Sequence, residues 1–567
     1  MRLPRRGRSI NILHGCIVAA CSLACLLSAG GRSRAAAAER TVLLVAAFDS
    51  YGDLKKQLGW LGNQIDNPGL AGMLESVLLL ATQGRGLSGL DVKRPLGAVV
   101  TSDGTDIALH GFVPVKDLDK LLASLQSVTG PVETDGTKRR ITLPSGLLLE
   151  ITERDGWAVI APVGMPGGAA DPGPALAAVA KDYTLGVEVF PGRMSAAVRK
   201  QLESALEQAS AASAAQGQPV DTDALKAGLA GLRQTESLSL GLSIDAESNT
   251  VFVENRSVAL AGSVSATAFA AAGNGTLTVA TPAAANGKSP AIRGYVAQSL
   301  SEATQAQVME ALDQSLPKES ADPLTRTIAS LLRELLSATL KSGGIDAAVA
   351  VDTTTSSEQA PLPAITAGVR VKDGAALEQR VKKMFGPQAG LPAGVSVKFD
   401  SGKAGPANLH TIAVELGDSP VAKQLGKSLD LTLAVADEYA FVLVGGDLQQ
   451  RITAALAASG RADPEAKPIA NVQVALNHVL GYAADRGAGP QILAAAERAD
   501  TADSSLLQLF VRPIDRGLVT RLSADAGVLK AVATLSGAPA APAGPAGVPL
   551  PQLPPGFPIP GSVPLPR

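Results

Sequence analysis

Cysteine is nearly missing from this chain of 567 residues: its three copies, Cys16, Cys21 and Cys25, all stand within the first 25 positions. From residue 39 onward there is no thiol. Disulfides, thiolate nucleophiles and cysteine-ligated zinc or iron–sulfur centres are therefore excluded there. A chain of this length buries enough core to stand without such staples. Aromatic residues are also scarce, at 3%, with two Trp and five Tyr. Stacking platforms for bases or sugars need clustered rings, whereas Trp60 and Trp157 lie far apart and both fit core positions. The core has to be built from Ala, Leu and Val. No charge of one sign dominates either: 50 Lys and Arg stand against 52 Asp and Glu. Six of those Arg and none of the acids precede residue 39, so residues 39–567 are acidic by eight charges. Such a chain has no counterion-release drive toward nucleic acid and no strong attraction to an anionic bilayer.

What is present first is an address. Arg2, Arg5, Arg6 and Arg8 precede an apolar run, Ile10–Ala29, and a small-residue stretch, "RAAAAERT". A basic start, a modest apolar run and an A-x-A site are the parts of a secretory signal peptide. Cleavage is expected after Ala38, which makes residues 1–38 the signal. Asn11 and His14 interrupt the run, so no stable membrane span is expected after processing. The alternative is a lipoprotein: "VAAC" resembles a lipobox with Cys21 as the lipidated residue, although the chain stays apolar after it. Both readings put the folded part outside the cytoplasm, periplasmic or extracellular, or held at the membrane through Cys21.

The rest reads as one plan used twice. "VPVKD" (Val113–Asp117) recurs as "VRVKD" (Val369–Asp373). A helical face follows each, Leu118, Leu121, Leu122 and Leu125 in one, Leu377, Val381 and Met384 in the other. "DGWAVI" (Asp155–Ile160) is echoed by "DEYAFV" (Asp437–Val442), each a turn and an alternating strand. Ahead of the first V-K-D stand the strand "TVLLVAAF" and two helices. One carries Leu54, Leu58, Leu61 and Ile65; the other opens at Asn67-Pro68, with Asn67 suited to the N-cap. Ahead of the second stand "AIRGYVAQ" and two helices, one opening at Asp322-Pro323. Hairpins are expected across "AESN" and "IDRG". The expected class is α+β, with antiparallel sheets and helix pairs in two tandem repeats, 39–287 and 288–536. Residues 537–567, about one-third proline, are expected to form a disordered Pro-rich tail.

Motifs that carry chemistry are few. "GRGLSG" (Gly84–Gly89) has G-x-G-x-x-G spacing, but a helical run with Leu70, Leu74, Val77 and Leu78 precedes it, and Pro95 follows too soon for a helix to grow. A dinucleotide turn needs a strand before and a helix after. The glycines are better read as a helix C-cap and a loop into "LGAVV". His110, His410 and His478 are the only histidines after residue 38, and they show no metal spacing. "GLSGL" around Ser88 is no nucleophile elbow, and Ser419 and Lys423 are four apart rather than three. Asp437 and Glu438 suit a turn. Asp221 and Asp223 suit the start of a helix and lack the calcium-loop pattern. No cofactor or metal is called for and no catalytic residue stands out.

"TQGRGLSGLDVKRPLGAVV", with "VPVKD" and "RDGWAVIAP", resembles the exported bacterial proteins built from tandem α+β modules and classed as domains of unknown function. In those, a G-L-D-x-K-R-P-G loop leads into a strand, followed by the V-K-D helix and a final strand. The likeness covers 40–165 and 345–460. It implies export and modular architecture and supplies no activity. The expected function is that of a non-catalytic exported envelope protein that binds or scaffolds an envelope partner. The alternatives are a carrier of an apolar ligand such as a lipid, held in a cleft between sheet and helices, and a hydrolase with a composite site.

Overall fold

A computed structural model describes residues 40–537 except 144–145, 166–170, 216–227, 281–289, 316–322, 354–361, 387–390, 392–393, 418–427, 462–468 and 503. Ala38, Cys21, Asp221, Asp223, Asp322, Ser419, Lys423 and residues 538–567 of the expected tail lie outside the described residues.

The first series of elements is β1 (Thr41–Phe48), α1 (Tyr51–Gln64), α2 (Leu70–Ala81), β2 (Leu96–Ser102), β3 (Ile107–Pro114), α3 (Leu118–Thr129), β4 (Glu133–Asp135), β5 (Lys138–Thr142), β6 (Leu148–Arg154), β7 (Trp157–Pro162), α4 (Gly173–Ala180), β8 (Leu185–Val189), α5 (Ala196–Ala215), β9 (Thr235–Asp245), β10 (Thr250–Ala259) and α6 (Val264–Ala272). The second is β11 (Ile292–Ser299), α7 (Glu302–Ser315), α8 (Pro323–Leu340), β12 (Gly344–Asp352), β13 (Ala364–Arg370), α9 (Gly374–Phe385), β14 (Val395–Ala404), β15 (Ala407–Glu415), β16 (Ser428–Val435), β17 (Tyr439–Val444), α10 (Leu448–Ala458), β18 (Ala470–Ala475), α11 (Leu476–Ala484), α12 (Pro490–Asp500), β19 (Leu506–Ile514), β20 (Gly517–Asp525) and α13 (Ala526–Leu535).

Local chemistry explains many boundaries. Asp117 and Asp373, the last letters of the repeated V-K-D, cap α3 and α9 by accepting from the N–H of Lys120 and of Ala376. Asn67 is not the cap expected of it. The N-P-G stretch forms a turn in which Asn67 O accepts from Leu70 N, and α2 starts after Gly69. The apolar spacing of α2 predicts a core face, yet none of its residues is buried. The helix packs on α1 and α3 rather than on the sheet, which leaves Met73, Val77, Leu79 and Leu80 exposed. Trp157 is buried as expected, whereas Trp60 is half-buried and its indole N–H donates to Asn249 Oδ1 in the β9–β10 turn.

The fold is mixed α+β around one antiparallel sheet of 20 strands. Its order is β4-β5-β6-β7-β3-β2-β1-β8-β9-β10-β20-β19-β18-β11-β12-β13-β17-β16-β15-β14. The two series thus share a single sheet, because the outer strands of two hairpins, β10 and β20, satisfy each other's free edges. Read outward from that pair, the order is the same on both sides, each strand of the first series matching the one ten places later in the second. The β10–β20 register runs from Thr250↔Asp525 to Val258↔Gly517 and is centred on Glu254↔Arg521.

Helices cover the outer parts of both faces. Leu118, Leu121 and Leu122 of α3 pack with Ile141, Ile151 and Ala158, while Leu176 and Val179 of α4 pack on the other face with Val45, Val99 and Phe112. In the second series, Leu377 and Val381 of α9 pack with Leu431 and Leu433, and Ile452 of α10 packs opposite them with Phe441 and Leu443. One position shows how the halves are filled differently. Phe112, just before the first V-x-V-K-D, is fully buried and meets Trp157 edge-on at 6.3 Å. Its counterpart is Gly368, where a Cβ would lie 2.5 Å from Phe441 and 2.9 Å from Val279. The missing ring leaves room for a strap, residues 275–280, whose Thr278 and Val279 N–H groups both donate to the buried carboxylate of Asp346 on β12.

Candidate functional site

The glycine loop is structural in its contacts. Gly84 N donates to Leu79 O at the end of α2, the C-cap the sequence suggests. Gly89, with φ +91°, turns its carbonyl onto the start of α3, where Lys116 N and Asp117 N both donate to it at 2.8 and 3.2 Å. A Cβ there would lie 2.2 Å from Asp117 O. Gly89 O thus takes two N–H groups just ahead of α3, and the Asp117 side chain takes that of Lys120 within its first turn. Ser88 donates its hydroxyl to Arg85 O. The K-R-P of the same loop is structural too: Arg94 lies over the Trp157 ring, 4.0 Å from its centroid, and donates to Gly156 O at 3.1 Å.

The histidines stand on β3, β15 and α11 and are not brought together. His110 is buried beside Phe112, and His478 is half-buried. His410 is fully buried and belongs to a cluster that sequence reasoning missed, with Glu378 and Lys382 of α9 and Asp400 of β14. Their donor atoms gather because β14 bulges. Between Lys398↔Thr411 and Gly402↔Leu409, three residues of β14 face His410 alone. Asp400, at φ +50°, tops the bulge, and its N–H donates to His410 Nδ1 at 3.1 Å. The Lys382 ammonium lies 2.7 Å from Glu378 and 3.0 Å from Asp400, and Asn408 Nδ2 donates to Glu378 at 3.0 Å.

Glu378, Asp400 and His410 have the ligand types of a divalent-metal site. Two features oppose that use. The ammonium of Lys382 already lies between both carboxylates. In addition, Nδ1 accepts a backbone N–H, so the neutral ring carries its proton on Nε2, the nitrogen that faces Glu378 Oε1 at 3.5 Å. Burial lowers the His410 pKa, against the pull of Glu378, and keeps the ring neutral. Burial raises Glu378, but the Lys382 ammonium and the Asn408 amide outweigh it and the net shift is downward. Hydrogen bonding to Lys382 likewise lowers Asp400. With the ring neutral, two carboxylates stand against one ammonium, so the group carries a net charge of −1, and the buried His410 Nε2 has no hydrogen-bond partner among the described residues. The group ties α9 to the β14–β15 hairpin. Asp437 and Glu438 occupy the turn expected of them, exposed, and their carbonyls receive Gly374 N and Val371 N.

The remaining candidate is the middle of the sheet, which has two unlike faces. One carries Glu254, buried and reached by Tyr183 Oη at 2.8 Å and by Arg521 Nε at 2.7 Å. Arg521 also lies over Phe252, 4.0 Å from the ring centroid. Burial first, then the hydrogen bond to Glu254, raises the Tyr183 pKa, so its hydroxyl stays the donor. The Tyr183 ring fits because the paired Gly186 and Gly241 beneath it lack side chains.

The opposite face is aliphatic. Residues paired directly across neighbouring strands point to one face. Phe48, Leu185, Leu242, Val253, Leu522, Leu509 and Val472 form such a row across seven strands, β1-β8-β9-β10-β20-β19-β18. Five of the seven, Phe48, Val253, Leu522, Leu509 and Val472, are between 36% and 41% or, for Leu522, 46% exposed. The row beside it, Ile244, Val251, Ala524, Leu507 and Val474, is aliphatic too, with Ile244 buried and the others half-buried. Single exposed aliphatics are ordinary; a contiguous row of them is a mark of contact. By contrast, two clefts elsewhere have charged linings. One of about 490 Å³ at the start of α9 includes Lys341, Lys372, Arg380 and Asp437, and one of about 350 Å³ by the β9–β10 turn includes Asp525 and Lys530. Among the described residues no helix is long and apolar enough to cross a membrane.

The sequence matches no protein-family model and no curated protein.

Proposed function

We propose that the chain is an exported envelope protein, built from a duplicated α+β unit, that acts by binding rather than catalysis. The open aliphatic face of its central strands is the contact surface in this reading. The row from Phe48 to Val472 carries the proposal, since among the described residues it is an exposed apolar surface on consecutive strands of one sheet, and such a surface is a contact feature. The mirrored strand order and the two V-x-V-K-D helices support duplication, into units 39–287 and 288–536. The Arg-rich start and the Ala38 site support export, as does the resemblance to exported tandem-module proteins. Non-catalytic action is supported by Lys382, whose ammonium already lies between the Glu378 and Asp400 carboxylates that a metal would need. An acyl chain fits the same surface as an apolar protein partner does. The test is chemical cross-linking in the native envelope, together with solvent extraction and mass spectrometry of the purified chain. Leu509→Asp/Leu522→Asp should abolish the specific adduct or the extracted lipid while leaving the far-ultraviolet circular dichroism unchanged. Identical adducts and extracts from the native chain and a folded variant would reject the surface.

A further inference from the structure

The aliphatic face of the central strands is four rows deep. On the side of the Phe48–Val472 row away from Ile244, a second row runs from Ala46 on β1 to Ala470 on β18, and beyond it a third from Leu44 on β1 to Pro513 on β19. With the row that starts at Ile244, these make rows of six, seven, seven and five residues. None of them is charged, and three are polar: Asn255, Thr520 and Ser257. All three stand on β10 and β20, in the middle of the face. Asn255 is exposed and pairs directly with Thr520 in one of the two inner rows.

We propose that this face packs on the same face of a second copy of the chain, as a two-sheet sandwich about a twofold axis that sets Asn255 against its own image. The proposal rests on the reading of the face as the contact surface and names the partner. Three observations favour a second copy. The first is area. Each position on a sheet face takes about 4.8 Å by about 6.8 Å, or about 33 Å². The four rows therefore present about 800 Å², the share of one partner in an interface of standard size. The second is shape. Sheets twist with one hand, and two such sheets stack about 10 Å apart with their strands within about 30° of each other. Two copies of one face share that twist by construction. The third is chemistry. A face without charge does not select a partner of opposite sign. Its central exposed polar group is an amide, which donates and accepts at once, so an identical amide matches it. In a twofold contact the same patch meets itself, and a residue beside the axis meets its own copy. A single asparagine in an otherwise apolar seam fixes register and copy number in coiled coils by the same means.

Sedimentation equilibrium of the purified full chain should show a dimer at micromolar concentration. Asn255→Asp and Asn255→Lys should each weaken it about a hundredfold, because each sets like charges against one another across the axis. Mixing the two variants should restore a dimer with one copy of each, which also shows that both fold. If a charge at 255 unfolds the chain, Thr520→Asp and Thr520→Lys take their place. A native chain that stays monomeric would overturn the assignment, as would a dimer that both charged variants retain. Loss in each folded variant without recovery on mixing would overturn it too. The contact surface itself is read separately, with the fluorescent probe 1-anilinonaphthalene-8-sulfonate. If a monomeric native chain binds the probe and Leu509→Asp/Leu522→Asp does not, the face stands as a contact surface for a different partner. Equal binding by both would remove that reading as well.

Discussion

Glu254 and Arg521 face each other in register at the middle of the strand pair that, among the described residues, joins the two series. The carboxylate is buried, Arg521 reaches it through Nε at 2.7 Å and Nη2 at 2.5 Å, and Tyr183 closes the other oxygen. The mirrored register makes 254 and 521 equivalent positions, yet they hold opposite charges. Two identical residues there would set like charges side by side, which is destabilising across a strand pair. The junction is built so that one series completes the other.

Arg521→Met would leave the buried Glu254 carboxylate with Tyr183 Oη at 2.8 Å and Arg256 Nη2 at 3.6 Å as its remaining partners. Removing one partner of a fully buried pair costs about 3–5 kcal/mol; with those partners left and Arg521 one-third exposed, the loss should fall short of that range, and the urea midpoint should still drop. Adding Glu254→Gln to Arg521→Met should recover part of the loss. Strictly additive losses across the cycle would show that the two side chains are not coupled.

Proton linkage at His410 gives a second expectation. Burial depresses its folded pKa below the ordinary value of about 6.5. The unfolded chain therefore binds the proton first as pH falls. The stabilising contribution is complete above the ordinary histidine range and is lost as pH drops through it toward the folded value. Asp400 and Glu378 are lowered as well and add losses of the same sign in the carboxylate range, near pH 4 and below. His410→Asn keeps an acceptor for Asp400 N–H without titrating near neutrality. Urea midpoints between about pH 7.5 and 5.5 should fall in the native chain and stay flatter in the variant. Parallel slopes would assign the loss to other groups.

Gly241 is the seat of Tyr183. A Cβ there would lie 2.1 Å from the tyrosine ring, and Gly186, its partner across the strands, is nearly as tight. Gly241→Ala should cost about 1–3 kcal/mol through overpacking. In a Tyr183→Ala background the same substitution should cost much less. Thermal midpoints of the four proteins give the coupling directly, and an unchanged penalty would mean the ring is not what the methyl strikes.

How much of this was legible depends on how local each cause is. Asp117 and Asp373 announce their helices because an N-cap needs only its next three residues. The AESN and IDRG turns announce hairpins for the same reason. Asn67 misled because the N-P-G turn preceding α2 carries the same residues as a capped start. The pairing of β10 with β20 joins residues 267 apart, and nothing in either strand alone names the other. The cluster at His410 was half visible. Glu378 and Lys382 stand four apart on a helix, a spacing that pairs charges, but Asp400 joins them only through a bulge set by strand register. The aliphatic row is likewise a property of register: its seven residues come from seven strands, and each alone reads as a core position.

The strap across β12 offers the last expectation. Asp346 is buried and accepts from Thr278 N, Thr278 Oγ1 and Val279 N, which holds residues 275–280 where Gly368 has left space. Asp346→Ala would leave two backbone N–H groups without acceptors, at about 1–3 kcal/mol for each group that stays buried. The chain has a cheaper course, which is to release the strap to water. The variant should therefore show faster proteolytic cleavage near residues 275–280 before it shows a large fall in its thermal midpoint. Gly368→Ala should produce the same cleavage, since its methyl would strike Phe441 and Val279 from below. Protection of the strap in both variants would mean that Leu277 and Val279, buried on their own account, hold it without the carboxylate.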